Sequence, residues 1–252
     1  MPKSQVDVAV IGGGPVGLSA ANLLGQLGIS CALFERQPTT SFHPRGHVVN
    51  ARTMEILRGL GLEEEVNGAS LPVERHAGIG FVTSLSGEEI GHIRTRGDHG
   101  PDERETAISP VLKRSCPQDL LEPILRTGAQ RFDGVELDFA TEVTGIAQES
   151  ERVAISWRSE DGATGVTTAK FVIGADGPRS FTREAAGIEM NGQSMGQQIG
   201  VYFHADLWPY VKDRPFLLWW IYNSVTTGVL ISLDGRERWT YNFPYPEHDD
   251  RN

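Results

Sequence analysis

The 252-residue sequence has only two cysteines, no long apolar run and no excess of basic residues. Cys31 and Cys116 lack metal-ligand spacing and make a weak disulfide framework, so neither a metal site nor a disulfide-rich scaffold is expected. No apolar run approaches the roughly 20 residues that span a bilayer. The start, MPKSQVDVAVIGGG, lacks the regions of a signal peptide. These absences predict a cytoplasmic protein that binds no metal and no membrane.

Acidic residues outnumber basic ones, 33 to 23, which gives a net charge of −10. Negative charge argues against nucleic-acid binding, because the phosphate backbone is recognised by basic surfaces. The composition is otherwise ordinary, with 39% hydrophobic and 22% charged residues, and the length allows one large domain or two small ones.

A strand–helix–strand pattern opens the chain. VDVAVI at 6–11 reads as a buried strand, PVGLSAANLLGQLG at 15–28 has apolar residues at helical spacing, and CALFE at 31–35 reads as a second buried strand. The unit covers about 30 residues, which is the length that a parallel crossover needs. It predicts a parallel sheet with helices against it.

Two kinds of sheet are predicted to alternate along the chain. FVIGAD at 171–176 is a third buried strand, whereas glycine-broken pieces before Ala107 and short runs after Arg183 indicate an antiparallel sheet. We predict an α/β fold in which a three-layer, Rossmann-like dinucleotide-binding domain is interleaved with a mainly antiparallel β domain. The predicted bounds are 1–70 with 108–182 for the first domain and 71–107 with 183–252 for the second, partial one.

A glycine fingerprint lies between the first strand and the first helix. Gly12 permits the tight turn, Gly14 lets a pyrophosphate approach the backbone, and Gly17 lets helix and strand pack closely. The helix N-terminus then attracts the phosphates. Glu35, at the end of the second strand, can bind a ribose diol. The pattern does not separate NAD from FAD, and Glu35 argues only against a 2′-phosphate, with the basic Arg36 beside it weakening even that.

Four segments carry a resemblance to a known family. They are IGGGPVG at 11–17, HPRGHVVNARTMEILRGLGL at 43–62, CPQDLLEPILR at 116–126 and GADGPRS at 174–180. Together they resemble the FAD-dependent aromatic hydroxylases, the single-component flavoprotein monooxygenases built like p-hydroxybenzoate hydroxylase. The segment 43–62, with ADLWPYVKDRPFLLWWIYN further on, is similar to the phenol and chlorophenol monooxygenase branch.

The resemblance implies a set of FAD contacts. Arg45 would reach over the flavin, Gln118 would contact FAD from a helix, and Asp176 would help to bind FAD and shape the approach of the nicotinamide. Each has an ordinary alternative. Arg45 could be a surface arginine, Gln118 could complete a capping box begun by Ser115, and Asp176 could belong to a simple Asp-Gly turn. The implied cofactor-binding residues are Gly12, Gly14, Pro15, Val16, Gly17, Glu35, Arg36, Arg45, Gln118, Val143, Asp176 and Gly177.

Two further interpretations concern the substrate. His47 is a candidate catalytic residue, because a histidine near the flavin could accept a phenolic proton, although a structural histidine is the alternative. Trp219, Trp220 and Tyr222 alternate on a predicted strand, so one face should be core and the other could line a substrate pocket. The sequence does not choose between the faces.

The resemblance implies hydroxylation of a small phenolic or aromatic substrate with NAD(P)H and O₂, through a flavin hydroperoxide. The family normally continues to a Gly-Asp motif that binds the ribityl chain. No Gly-Asp pair follows residue 180 here, which predicts a C-terminally incomplete, N-terminal portion of a hydroxylase. A non-catalytic FAD-binding fragment, a flavin halogenase and an NAD-dependent dehydrogenase stay open as alternatives. The sequence also leaves open the identity of the substrate, the choice of NADH or NADPH, and whether the chain forms a homo-oligomer.

Overall fold

The computed structural model describes residues 2–72, 75–95, 103–193 and 195–245. Two compact units are present. The first unit comprises Met1–Phe42, Arg58–Glu65 and Gln118–Asn191, and the second comprises His43–Leu57, Val66–Pro117 and Gly192–Asn252. These units are defined by packing and are drawn differently from the predicted domains, since 43–57 and 108–117 pack in the second unit. The domain bounds predicted from the sequence stay a prediction.

Fourteen strands and seven helices are found in the described residues. In chain order they are β1 (Gln5–Ile11), α1 (Pro15–Gln26), β2 (Cys31–Phe34), β3 (Val48–Val49), α2 (Ala51–Gly59), α3 (Glu63–Ala69), β4 (Ile79–Val82), β5 (Glu89–Ile93), α4 (Glu103–Ile108), β6 (Arg114–Ser115), α5 (Gln118–Ala129), β7 (Val135–Asp138), β8 (Thr141–Gln148), β9 (Val153–Ser159), β10 (Thr164–Gly174), α6 (Phe181–Ala185), β11 (Gln197–His204), α7 (Trp208–Val211), β12 (Leu218–Tyr222), β13 (Thr227–Ser232) and β14 (Arg238–Tyr245).

The first unit is built on a six-stranded sheet with the order β7-β2-β1-β10-β9-β8. Strands β7, β2, β1 and β10 are parallel, and β8 and β9 continue antiparallel from the first part of β10. Residues of β1 and β2 pack in one apolar cluster with residues of β9. Helix α1 also packs against β1 and β2, but none of its residues belongs to that cluster. The predicted three layers are therefore confirmed: helices, parallel strands and an antiparallel meander.

A buried asparagine joins the two long helices of this unit. The Asn22 side-chain amide is fully buried on α1 and donates to the backbone carbonyls of Leu18 and Leu125, both at 2.8 Å. Gly128 makes room for it, because a Cβ at that position would lie 2.7 Å from Asn22 Oδ1. This contact holds α5 against α1.

The second unit contains a six-stranded sheet with the order β11-β14-β13-β12-β4-β5, antiparallel except for the β12–β4 pair. Trp219 and Trp239 are fully buried in its core. Trp220 and Tyr222 lie on the opposite face, where their rings stack with centroids 6.3 Å apart, and Phe81 stacks on Trp220 at 6.4 Å. The structure thus decides which of the two faces is core.

Candidate functional site

The first fingerprint glycine joins two turns at the carboxyl ends of neighbouring strands. Gly12 has φ = +108°, and a Cβ there would overlap the carbonyl oxygen of Ala175. The Gly12 amide donates to Phe34 O at 2.8 Å, and the Ala175 amide donates to Ile11 O at 2.8 Å. The turns after β1 and β10 are therefore in contact beside the end of β2. Ligands of parallel α/β sheets bind at this edge.

The start of α1 is open. Gly14 is its N-cap, and no side chain caps the helix. A Cβ on Gly14 would meet only one atom within 4 Å, Glu122 Oε1 at 4.0 Å, while a Cβ on Gly17 would overlap the Gly12 carbonyl oxygen. Val16 in the first turn is 68% exposed. The first backbone N–H groups of a helix have no intrahelical partner and carry its positive dipole end, so this space suits a phosphate group.

Glu35 is held rigidly at the end of β2. Its Oε2 accepts from the Gly13 amide at 2.6 Å and its Oε1 accepts from the Gln37 amide at 2.8 Å. A carboxylate has about four lone-pair positions, so it keeps capacity for a ribose diol. Gly13 was not singled out from the sequence, yet a Cβ there would lie 2.7 Å from Glu35 Cβ. The fingerprint pattern does not require a glycine at this position, and the requirement comes from the side chain of Glu35.

Asp176 has a structural role that the sequence analysis had not assigned to it. Its Oδ2 accepts from the backbone amide of Thr182 at 2.9 Å and from Thr182 Oγ1 at 3.1 Å, and its Oδ1 accepts from Ser180 Oγ. Ser180 in turn caps α6 by accepting from the Arg183 amide at 2.9 Å. Burial raises the pKa of the Asp176 carboxyl, but these hydrogen bonds outweigh it and leave the pKa below its usual value. The carboxylate is therefore ionised and fixed beside the Gly12 turn.

A buried acid missed by the sequence analysis lies next to Gln118. Glu122 on α5 is only 3% exposed, and its Oε1 accepts from Gln118 Nε2 at 2.6 Å. Its Oε2 accepts from the Ser41 amide at 2.6 Å. The Gln118 side chain therefore donates to this carboxylate, whereas a capping box begun by Ser115 was the alternative role considered from the sequence. Because Glu122 also approaches the Gly14 position, Gln118 belongs to the surroundings of the fingerprint loop.

His47 belongs to the second unit and is partly buried. His47 directly precedes β3, and its Nδ1 lies 3.2 Å from Ser115 Oγ on the paired strand β6, within hydrogen-bond distance. Burial lowers the pKa of His47 to about 4, with a contribution from the charge of His76. The imidazole is therefore neutral near neutral pH.

The other predicted residues have varied surroundings. Arg36, at the end of β2, is exposed, and so is Gly177 in the turn after β10. Arg45 is exposed in the second unit, where its amide donates to His43 O at 2.9 Å. Val143 lies in β8, opposite Trp157, at an irregularity in the strand register. Pro15 occupies the first helical position of α1.

Two other features, a metal-ligand cluster and a membrane span, are absent from the described ranges. No group of three or more His, Cys, Asp or Glu side chains could hold a metal ion there. No helix in those ranges has the length and apolar character needed to cross a membrane. Cys31 and Cys116 are both buried, and neither forms a disulfide bond.

The residues present fit the adenosine diphosphate part of FAD. The open N-terminus of α1 suits the pyrophosphate, and the fixed Glu35 carboxylate suits the adenosine ribose. Gly12, Gly13 and Gly17 each occupy a position where a Cβ would collide with a neighbour, so the loop is shaped by glycine throughout. Gly14 alone faces open space, as a backbone approached by a ligand requires.

Comparison with curated proteins finds relatives that act on aromatic compounds. The chain is 36% identical to 2,4-dichlorophenol 6-monooxygenase of Delftia acidovorans over 221 residues, which cover 86% of this chain and 37% of the relative. It is 35% identical to tetracenomycin B2 monooxygenase-dioxygenase of Streptomyces olivaceus, over 96% of this chain and 47% of the relative. The chain therefore spans less than half the length of these relatives.

Solved structures agree with this relationship. The flavin-dependent monooxygenase PieE, in complex with FAD and substrate, superposes with a TM-score of 0.92 at 30% identity, over all of this chain and 45% of PieE. Aklavinone-11 hydroxylase, with FAD and aklavinone, superposes with a TM-score of 0.86 at 28% identity, over all of this chain and 48% of the hydroxylase. The predicted family, fold class and cofactor are confirmed. The family model described as FAD binding domain matches residues 5–252, and the chain belongs to this family of FAD-binding domains.

Proposed function

We propose that this chain acts in an FAD-dependent monooxygenase that hydroxylates a phenolic or other aromatic ring with NAD(P)H and O₂. The observation that carries the proposal is the open N-terminus of α1 at Gly14, with the Glu35 carboxylate fixed beside the same loop. The relatives that hydroxylate aromatic compounds support the choice of reaction. When bound, FAD would supply the redox chemistry, by which one oxygen atom enters the ring and the other leaves as water.

The residues of this chain would bind and orient the cofactor. The first-turn N–H groups of α1 would hold the pyrophosphate, Glu35 the adenosine ribose, and Asp176 the flavin side of the site next to Gly12. The proposed contacts are those predicted from the sequence: Gly12, Gly14, Pro15, Val16, Gly17, Glu35, Arg36, Arg45, Gln118, Val143, Asp176 and Gly177.

We propose a limited chemical role for His47. A pKa of about 4 makes its imidazole a weak base, so complete removal of a phenolic proton would be unfavourable. In the tautomer whose Nδ1–H donates to Ser115 Oγ, the Nε2 atom of the neutral imidazole is left as an acceptor. His47 would therefore orient a phenolic hydroxyl rather than carry its proton.

We also propose that the second unit contributes the substrate surface. The stacked rings of Phe81, Trp220 and Tyr222 form a partly exposed aromatic face of its sheet, opposite the Trp219 core. Such a face suits an aromatic ring through stacking and edge contacts. We propose a cytoplasmic location, where NAD(P)H is available to the proposed reaction. A net charge of −10 favours neither nucleic acid nor anionic membrane as a partner.

A second candidate function is an FAD-binding module without turnover of its own. It is favoured by one observation: the open N-terminus of α1 and the fixed Glu35 carboxylate suit binding of the adenosine diphosphate part of FAD, which a binding module also needs. Binding and turnover must therefore be measured separately.

The test has two stages. The purified chain is first titrated with FAD, following flavin fluorescence, and NAD(P)H oxidation with O₂ uptake is then measured with monocyclic phenols and polycyclic phenols. Hydroxylated product formed in proportion to NAD(P)H would support the monooxygenase. FAD binding with no product from any phenol would favour the binding module, and the absence of FAD binding by a folded chain would refute both.

A further inference from the structure

We propose that Glu122 is a positioning residue of the FAD site, which fixes the orientation of the Gln118 amide and the place of the Ser41 backbone. The inference rests on the proposed function. It adds a residue whose carboxylate binds neighbouring protein groups and does not bind the cofactor. Glu122 stands in a sequence, LLEPILR, that gives no sign of it.

The burial of Glu122 needs a specific reason. Its side chain lies on α5 with 3% exposure. Burying a carboxylate is costly unless hydrogen bonds replace the lost water. Here both oxygens are used at 2.6 Å, one by Gln118 Nε2 and the other by the Ser41 amide. Short hydrogen bonds to an ionised acceptor are among the stronger ones in proteins.

These two hydrogen bonds have directional consequences. A carboxylate only accepts, so it selects the NH₂ side of the Gln118 amide and excludes the flipped orientation. The second N–H of Nε2 and the carbonyl oxygen of Gln118 are thereby left for other partners in a defined arrangement. On the other side, the Ser41 amide is tied to α5, which anchors the segment that follows Arg36.

The position of the carboxylate connects these effects with the cofactor site. Oε1 lies 4.0 Å from the place of a Cβ on Gly14, the N-cap of α1. The Asn22 contact with Leu125 holds α5 at this distance from α1. Both oxygens of Glu122 accept hydrogen bonds from Gln118 and Ser41. The residue therefore orients these two donors next to the proposed pyrophosphate position, and its own carboxylate makes no contact with the pyrophosphate.

A double-mutant cycle provides the first test. E122Q is nearly isosteric but allows the Gln118 amide to flip, so we expect FAD affinity to fall about 10-fold, as for loss of one hydrogen bond of this kind. Q118A should weaken FAD to a similar extent. In the Q118A background, E122Q should then have less than about a 2-fold further effect, because the two residues act as one unit. An undiminished 10-fold effect in that background would overturn the proposal.

A swapped pair separates positioning from structural support. Q118E/E122Q can retain both internal hydrogen bonds, since the amide at 122 donates to the carboxylate at 118 and accepts from Ser41. We expect its thermal unfolding to stay close to wild type while FAD affinity falls about 100-fold, because an acceptor-only group now replaces the oriented amide. Recovery of wild-type FAD affinity in the swapped pair would mean that Glu122 only supports the fold, and would refute the inference.

The design distinguishes this inference from the proposed function. If E122Q alone does not fold, the swapped pair and Q118A still report on the amide orientation. Wild-type protein that fails to bind FAD would refute the proposed function at the start. If E122Q and the swapped pair both bind FAD with the affinity of the wild-type protein, the proposed function stands and only the role of Glu122 is refuted.

Discussion

A Cβ on Gly12 would overlap the carbonyl oxygen of Ala175, so these two residues are as close as two backbones can come. One residue follows β1 near the start of the chain, and the other follows β10. Their contact means that the fingerprint loop takes its shape partly from the turn that contains Asp176. The two glycine-containing turns are therefore parts of one structural element.

We expect Gly12→Ala to destabilise the fold by about 2–4 kcal/mol, because it combines a strained positive φ with a backbone collision. The free energy of unfolding in urea measures this. Gly162→Ala is the matched control, since Gly162 has φ = +88° but no heavy atom within 4 Å of its Cβ position. It should cost only about 1 kcal/mol, the strain alone. Equal losses in the two variants would show that the contact with Ala175 is unimportant.

Asp176→Ala should lower the free energy of unfolding by about 1–2 kcal/mol, because it removes the acceptor for Ser180 and Thr182 at the start of α6. The folded-state pKa of this carboxyl lies below its usual value of 3.8, so its stabilisation is present above that value and is lost as the pH falls through the folded pKa. Urea unfolding at several acidic pH values checks both points.

Ser180→Ala serves as the control for Asp176 in cofactor binding. It removes the N-cap of α6, which accepts from the Arg183 amide, and one hydrogen bond to Asp176, but it keeps the Asp176 carboxylate. We expect FAD affinity to fall in the Asp176 variant and to change little in the Ser180 variant. Equal losses of affinity would assign Asp176 a purely structural role.

His47 should make stability depend on pH between neutrality and acid. Its pKa is about 4 in the fold against 6.5 ordinarily. The unfolded chain therefore binds the proton first as the pH falls, and stability is lost. The loss expected from this group between about pH 7 and pH 5 is about 2 kcal/mol.

The comparison of wild type with His47→Gln isolates this effect. Glutamine can keep a hydrogen bond to Ser115 but does not titrate. The difference in unfolding free energy between the two proteins should change as the pH falls through 6.5 and then 4, and become constant below about pH 3. A difference that is the same at every pH would show that the environment of His47 does not disfavour its charged form.

The two thiols should be unreactive while the chain is folded. Burial raises the pKa of Cys31 to about 12, and Cys116 is only 1% exposed. The thiolate is the reactive form, so an Ellman titration at mildly alkaline pH should detect no thiol in native protein and two per chain in denaturant. Rapid reaction of one thiol in native protein would contradict the burial of these residues.

Local patterns were sufficient to predict the fingerprint loop. The strand, three spaced glycines and helix are consecutive, and Glu35 follows at the end of the next strand. Gly13 and Glu122 could not be predicted in this way. Gly13 is required by the side chain of Glu35, and the burial of Glu122 depends on how closely α5 approaches α1. Both depend on packing between segments that are distant in sequence.

The alternation of Trp219 and Trp220 correctly predicted two faces but not their environments. The choice is made by Val211 and Phe216, which cover the Trp219 face from outside the strand. For Asp176, the sequence predicted a place near the fingerprint loop but not its hydrogen bonds to Ser180 and Thr182, which lie four and six residues after it. The predicted FAD contacts of individual residues stay predictions.

The path of β10 has a consequence for how the chain folds. Thr167 donates to the carbonyl of Lys3, 164 residues away in sequence, and β10 then continues alongside β1. During synthesis, β1, α1 and β2 are made early, but β1 lacks one of its two neighbouring strands until β10 has left the ribosome. Closing so long a loop makes this a slow, high-contact-order step. The fingerprint loop at 12–17 is therefore encoded first, but the strand beside it is added late, after most of the first unit has been made.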